Sequence, residues 1–338
     1  MSSQVVRCIR CGFILRKRPD QVSSSSGTAG GAVDNERCLK CAVEVMNAPL
    51  AIDDSPISPD VQDASYLMRQ MENDSIFQGL RNLFMAQPNY HDKNLEQVLS
   101  SGSCLAPYLL HPYIQCPSRP IILNSDQLIN SANYMAFDIF LMIEFAKTVD
   151  AFRNLDLNEQ VLQSKRVILP LTLFTEAYLS RASGFAQLTL PNKLVPLEIQ
   201  HPKYPSRPIS LYQSLQRAHK KVFSKFMLAL AEIDLTPEEY LLLKLLFVSC
   251  TYNVYNAPSL GNQAKAILNA NFDRYRFMMT RYLAKNYSPI EASRRQDLMS
   301  KIASHYFIVA TQMKELHQLV KQYHEKEKLP AEFMDEMM

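Results

Sequence analysis

The chain has 338 residues, 47% of them hydrophobic and 20% charged, which excludes a mainly disordered or collagen-like polypeptide. Its 36 basic and 33 acidic side chains leave a formal net charge of +3, so overall charge alone does not make it a nucleic-acid binder. Only eight glycines occur, four of them before residue 32; this speaks against turn-dense β barrels and glycine-looped nucleotide folds, and for packed helices.

In chain order, residues 1–50 hold Cys8, Cys11, Cys38 and Cys41 around a Ser/Gly-rich spacer at residues 23–31. Such a spacer reads as flexible linker in a poorly structured segment. Each cysteine pair has zinc-ligand spacing. The long gap between pairs leaves two readings open, a closed four-thiolate zinc site and free thiols. No apolar stretch ahead of a small-residue cleavage site opens the chain, so seven cysteines point to a reducing compartment. Residues 51–73 are acidic, carry Pro56 and Pro59, and read as a hinge. Residues 74–338 then read as one helical domain.

Within that domain, apolar spacing predicts a helix over residues 75–85 and a long one from Asp126 to Thr148, with Ile129, Met135, Ile139, Met142 and Phe145 inward. A short amphipathic helix is expected over residues 157–166. A fully buried helix follows over 167–181, with Pro170 near its start. Residues 187–191 alternate and predict a small strand or hairpin edge. Residues 211–230 are amphipathic. Thr236-Pro237-Glu238-Glu239 is a compact helix start, an N-cap followed by proline and acids that face the dipole. Two long helices are expected over 262–285 and 289–325, then a short segment over 331–338. No run approaches the roughly 18 apolar residues of a membrane span.

Three stretches in order carry a resemblance. Residues 145–169 contain Phe145, Ala146, Lys147, Phe152, Leu155, Leu157, Glu159 and Gln160. Residues 237–247 read Pro-Glu-Glu-Tyr-Leu-Leu-Leu-Lys-Leu-Leu-Phe. The tail reads Phe333-Met334-Asp335-Glu336-Met337-Met338. Together they resemble the signature, the middle helix and the activation helix of the nuclear hormone receptor ligand-binding domain, in a flavour similar to the expanded nematode set. The resemblance covers about residues 74–338 and implies an all-α, three-layer antiparallel helical sandwich with a small β hairpin. Gln163 and Ser164 stand where the family usually has apolar residues, and Glu159 replaces the commoner Asp; the first departure predicts weaker packing at that helix face or a slight shift of the helix.

The physics of the implied site is simple. A short helix presenting a Leu-x-x-Leu-Leu face needs an apolar groove and a charge at each end, because its first amides carry partial positive charge and its last carbonyls partial negative charge. The resemblance assigns Glu336 to the amide end and Lys147 to the carbonyl end. Gln160 and Lys165 are supporting polar groups, and Phe333, Met334 and Met337 pack the closing helix onto the body. A two-turn helix about 12 Å long fits, at about 1.5 Å per residue. So short a closing helix is not stable in isolation and borrows stability from its docking surface. An apolar ligand that completes that surface, or constitutive packing that does so, sets its population. Met135, Ile139, Met142 and Phe174 are the candidate ligand-pocket residues; plain core is the other reading. Leu242 to Leu246 also spells a partner-helix motif, but core packing is the expectation there. Glu239 is expected to pair with Arg294 or Arg295.

The implied function is transcriptional regulation in the nucleus through recruited coregulator helices. The N-terminal cysteines would be an eroded zinc-finger module: only four occur there, and Glu44 follows Cys41 where the family places basic residues. Arg16-Lys17-Arg18 is a small basic patch, and DNA binding stays open. Two further readings belong to other classes: a dimerisation or titration module that pairs through residues 289–325, and a helical lipid carrier. An enzyme is not expected, since HExxH, GxSxG, P-loop and GxGxxG patterns are missing from the sequence.

Overall fold

The computed structural model describes residues 5–7, 14–17, 61–83, 93–101, 128–189, 208–251, 259–323 and 332–337. The N-terminal part contributes one antiparallel ribbon, β1 (Val5–Arg7) and β2 (Ile14–Lys17), with Val5 opposite Lys17. The four N-terminal cysteines lie outside the described residues.

Helix α1 spans Val61–Leu83. It therefore begins well before residue 75, and the stretch read as hinge from residue 61 onward is helical. The reason is visible in its buried face. Tyr66, Gln70, Asp74 and Phe77 are spaced at helical intervals and all are buried, but two of the four are polar, so apolar periodicity does not show them. Gln70 Nε2 donates to the Thr148 carbonyl at 3.0 Å, and the Tyr66 and Tyr275 hydroxyls meet at 2.9 Å. Next come α2 (Leu95–Ser100), α3 (Leu128–Thr148) and α4 (Asp150–Arg153).

Helix α5 (Leu157–Ala182) is one 26-residue helix rather than two, with Pro170 inside it. An interior proline removes one ladder bond and costs about 3 kcal/mol. Residues 166–177 are all buried, so packing on every side outweighs the break. The helix stops at Gly184, whose φ of 83° suits glycine; its amide donates to the Arg181 carbonyl and that of Phe185 to Ser180. The described part of the expected hairpin edge, Gln187–Thr189, forms no strand. It is held instead by Ser180, whose Oγ accepts from the Thr189 amide at 3.1 Å. Residues 190 and 191 lie outside the described residues.

Helix α6 (Ile209–Phe223) is followed by a 3₁₀ turn at Leu228–Leu230. Helix α7 (Pro237–Val248) starts as its sequence predicts: Thr236 Oγ1 accepts from the Glu239 amide, and the Glu239 carboxylate accepts from the Thr236 amide. Helices α8 (Asn262–Asn286), α9 (Pro289–Tyr323) and α10 (Glu332–Met337) complete the chain.

The packing makes three layers. Helices α1 and α3 form one face, α5 and α7 the middle, and α6 and α9 the other face, with α8 against α7 and α9. Aromatic rings fill the centre. Phe174 of α5 lies 5.5 Å from Tyr240, 5.3 Å from Phe247 and 5.6 Å from Tyr306 between centroids. Two buried ion pairs tie α7 to its neighbours. Lys244 meets Asp74 of α1 and lies 3.9 Å above the Phe145 ring. Glu239 takes Arg295 of α9 in a two-point pair, Nε to Oε1 at 2.6 Å, which resolves the expected choice of partner; Arg294 instead pairs with Glu291.

Candidate functional site

Helix α10 is held by its polar face as well as by its apolar one. Met337 is fully buried. Asp335 accepts from Lys321 of α9 at 3.0 Å and lies 3.0 Å from His317 Nε2 on the same helix. Burial would raise the Asp335 carboxyl, but the hydrogen bonds from His317 and Lys321 outweigh it and hold it below its usual range. Burial pushes the His317 imidazole down, against the opposing pull of Asp335.

Docked in this way, α10 aims Glu336 at a second short helix. Glu336 Oε1 accepts from the Leu95 amide, the first residue of α2, at 2.9 Å. Its other oxygen pairs with Lys165 of α5 at 3.2 Å. At the opposite end of α2, Lys147 of α3 donates to the carbonyls of Val98 (3.2 Å) and Ser101 (2.9 Å). Its third proton goes to Glu144 at 2.7 Å, so all three ammonium donors are used. Glu144 is buried and sits one turn back on the same helix, where it holds Lys147 in position.

The two charges therefore grip opposite ends of one helix, a carboxylate at the amide end and an ammonium at the carbonyl end. Each such contact is worth about 0.3–1 kcal/mol when exposed and up to ~2 kcal/mol when partly buried. Between them, Leu95, Val98 and Leu99 point into the body and are buried, which is the one-face spacing of an i, i+3, i+4 motif. Helix α2 packs on α5, α10 and α3. It also carries its own capping box: Asn94 Oδ1 accepts from the Gln97 amide at 2.8 Å, and Gln97 Oε1 from the Asn94 amide at 3.0 Å.

Of the residues expected in the groove, the structure brings together Lys147, Lys165, Glu336 and Met337. Gln160 is engaged elsewhere, its Nε2 donating to the Leu155 carbonyl at 3.0 Å. The side chains of Phe333 and Met334 lie outside the described residues. Gln163 and Ser164 do not loosen the helix face as expected. Both are buried, and Gln163 Nε2 donates to the carbonyls of Val248 (2.8 Å) and Cys250 (3.0 Å), closing the end of α7 onto α5. Glu159 accepts from the Gly261 amide at 2.9 Å, which joins the start of α5 to the start of α8. A Cβ on Gly261 would meet that carboxylate oxygen at 2.6 Å, so a side chain there displaces the end of Glu159 from the amide.

The candidate pocket residues divide. Ile139, Met142 and Phe174 are buried and Met135 is half-buried. Phe174 sits in the ring cluster. Met142 borders a cavity of about 10 Å³ beside Asp74, Asp138 and Thr175, room for about one water. Among the described residues, no group of three or more His, Cys, Asp and Glu could hold a metal, and no helix is long and apolar enough to cross a membrane. The long helix α9, expected to serve pairing, packs against α5, α6 and α8, with Ile290 and Ile308 exposed.

Sequence reasoning missed α2 and Glu144. The signal for α2 was present: Asn94 with Gln97 three residues on, and Leu95-x-x-Val98-Leu99. Glu144 gave none, being one more acid in an apolar helix.

No individual curated protein matches the chain. The profile of the ligand-binding domain of nuclear hormone receptor matches residues 127–321, a span that runs from the start of α3 to the last turns of α9 and contains Lys147, Lys165, Gln163 and the buried Glu239–Arg295 pair. The chain belongs to the nuclear hormone receptor family through this ligand-binding domain.

Proposed function

We propose that this domain acts as a receptor-type transcriptional regulator that recruits a coregulator helix into the groove between Lys147 and Glu336. One observation carries the reading: the two side chains hold opposite ends of a short helix whose apolar face is buried between them. Nothing in that arrangement depends on the identity of the helix, since the contacts at both ends are to backbone. Among the described residues, filled packing around Phe174, Tyr240, Phe247 and Tyr306, with a cavity of about 10 Å³ at Met142, favours constitutive docking of α10 over docking by an apolar ligand, whose sites run to about 300–1,000 Å³. The nucleus is the compartment in which such a regulator acts.

The test is direct. A labelled Leu-x-x-Leu-Leu peptide is titrated into full chains carrying Leu95→Ala/Leu99→Ala, with and without Glu336→Lys, so that loss of the clamp contact falls on the peptide rather than on α2. Saturable binding that weakens about tenfold or more with Glu336→Lys is expected, since one clamp contact is lost and a repulsive one gained. Equal binding by both chains, or none by either, contradicts the proposal.

A further inference from the structure

We propose that α2 is a built-in occupant of the coregulator groove, a helix of the chain itself that a partner must displace. The inference rests on the reading of the groove just given and adds its regulation.

Three features separate α2 from an ordinary wall of the domain. Its contacts with the clamp are those a visiting helix would make: the carboxylate of Glu336 takes a free amide at its first turn, and the ammonium of Lys147 takes carbonyls at its last. Its inward residues, Leu95, Val98 and Leu99, repeat the leucine motif with one valine in place of leucine. And part of its capping is its own: the box of Asn94 and Gln97, and the Ser101 hydroxyl on the Val98 carbonyl at 2.8 Å, lie within the segment. When the segment leaves the groove, only the Leu95 amide and the Val98 and Ser101 carbonyls lose a partner from the body, and water takes their place.

In sequence, residues 84–92 join this helix to α1 and residues 102–127 join it to α3. A tethered occupant competes at an effective concentration on the order of millimolar, so a free peptide sees only the fraction of molecules in which α2 has left. The occupant is also tuned to be displaceable. Val98 buries one methylene fewer than leucine, about a fourfold weaker hold, and valine is the poorer helix former. A partner with the full leucine set and equal clamp contacts therefore outcompetes α2 once its own concentration offsets the tether.

The experiment uses the full chain and a labelled Leu-x-x-Leu-Leu peptide. Leu95→Ala/Leu99→Ala removes the apolar knobs of α2 and leaves the groove wall and both clamp residues intact. Asn94→Ala, at the exposed rim, weakens only the cap and guards against a folding defect in the double variant. The double variant is expected to bind the peptide roughly tenfold or more tightly than wild type, and Asn94→Ala a few-fold more tightly. A labelled peptide of residues 93–101 is expected to bind the double variant and not the wild type. Unchanged affinity in both variants overturns the inference and leaves the coregulator groove standing, with α2 a fixed wall. Absence of peptide binding in wild type and both variants overturns the groove and the inference together.

Discussion

Two regions of this molecule use the same chemistry to opposite ends. At the centre, α7 is fastened by Lys244 to Asp74 and by Glu239 to Arg295, pairs whose lysine and glutamate side chains are fully buried. At the rim, α2 and α10 are fastened by Lys147, Lys165 and Glu336, of which the last two are about one-third exposed. A buried pair cannot be opened cheaply, because each partner alone is a desolvated charge. A rim pair can be, because water takes over either partner. The first arrangement suits a scaffold, and the second suits the helix exchange proposed for the groove.

The sharpest way to break the central region is Asp74→Ala. It leaves the Lys244 ammonium buried and unpaired, a state already disfavoured by burial, which lowers its pKa against the support of Asp74. A loss of about 3–5 kcal/mol is expected in denaturant unfolding. Asp74→Leu/Lys244→Met recovers most of it, because an apolar pair of similar volume carries no desolvation penalty. Gly261→Ala comes next. The added methyl meets the end of the Glu159 side chain, displaces that carboxylate from the residue 261 amide, and is expected to cost about 0.5–1.5 kcal/mol. At the rim, Glu336→Ala is expected to lower global stability by less than about 1 kcal/mol while loosening α2 at its Leu95 end. A central variant and a rim variant with equal unfolding penalties would erase the distinction.

Smallest is a pH effect on α10. His317 and Asp335 both have folded-state pKa values below their ordinary ones. Each therefore contributes to folding stability fully above its ordinary value and loses that contribution as pH falls. The folded state is level in stability above neutrality and weakens first as pH drops below the ordinary imidazole value of 6.5. Amide exchange of residues 332–337 across pH 5 to 8 reads this, and faster opening at the alkaline end would contradict it.

How much of this the sequence carried follows from what kind of signal each part has. The helix start at Thr236–Glu239 is local chemistry, and it reads directly. Helices α8 and α9 are long and periodic, and their bounds fall within two residues of expectation. The start of α1 was hidden because its buried face includes Gln70 and Asp74, partners supplied by Thr148 and Lys244 from distant parts of the chain. The continuity of α5 across Pro170 is likewise a tertiary effect, as local rules favour a break. At the site, Lys147 and Glu336 were legible through the resemblance. That the helix between them is residues 95–100 was not, since its motif has only the strength of five residues until the clamp is seen around it.

The central claim is that Glu336 and Lys147 grip one helix end to end. Residue-resolved amide hydrogen exchange over Leu95 to Ser101, in wild type and in Glu336→Lys, tests it most directly. Protection of these amides in wild type, lost in the variant while α7 stays protected, is the predicted result. Identical protection in the two chains would contradict it.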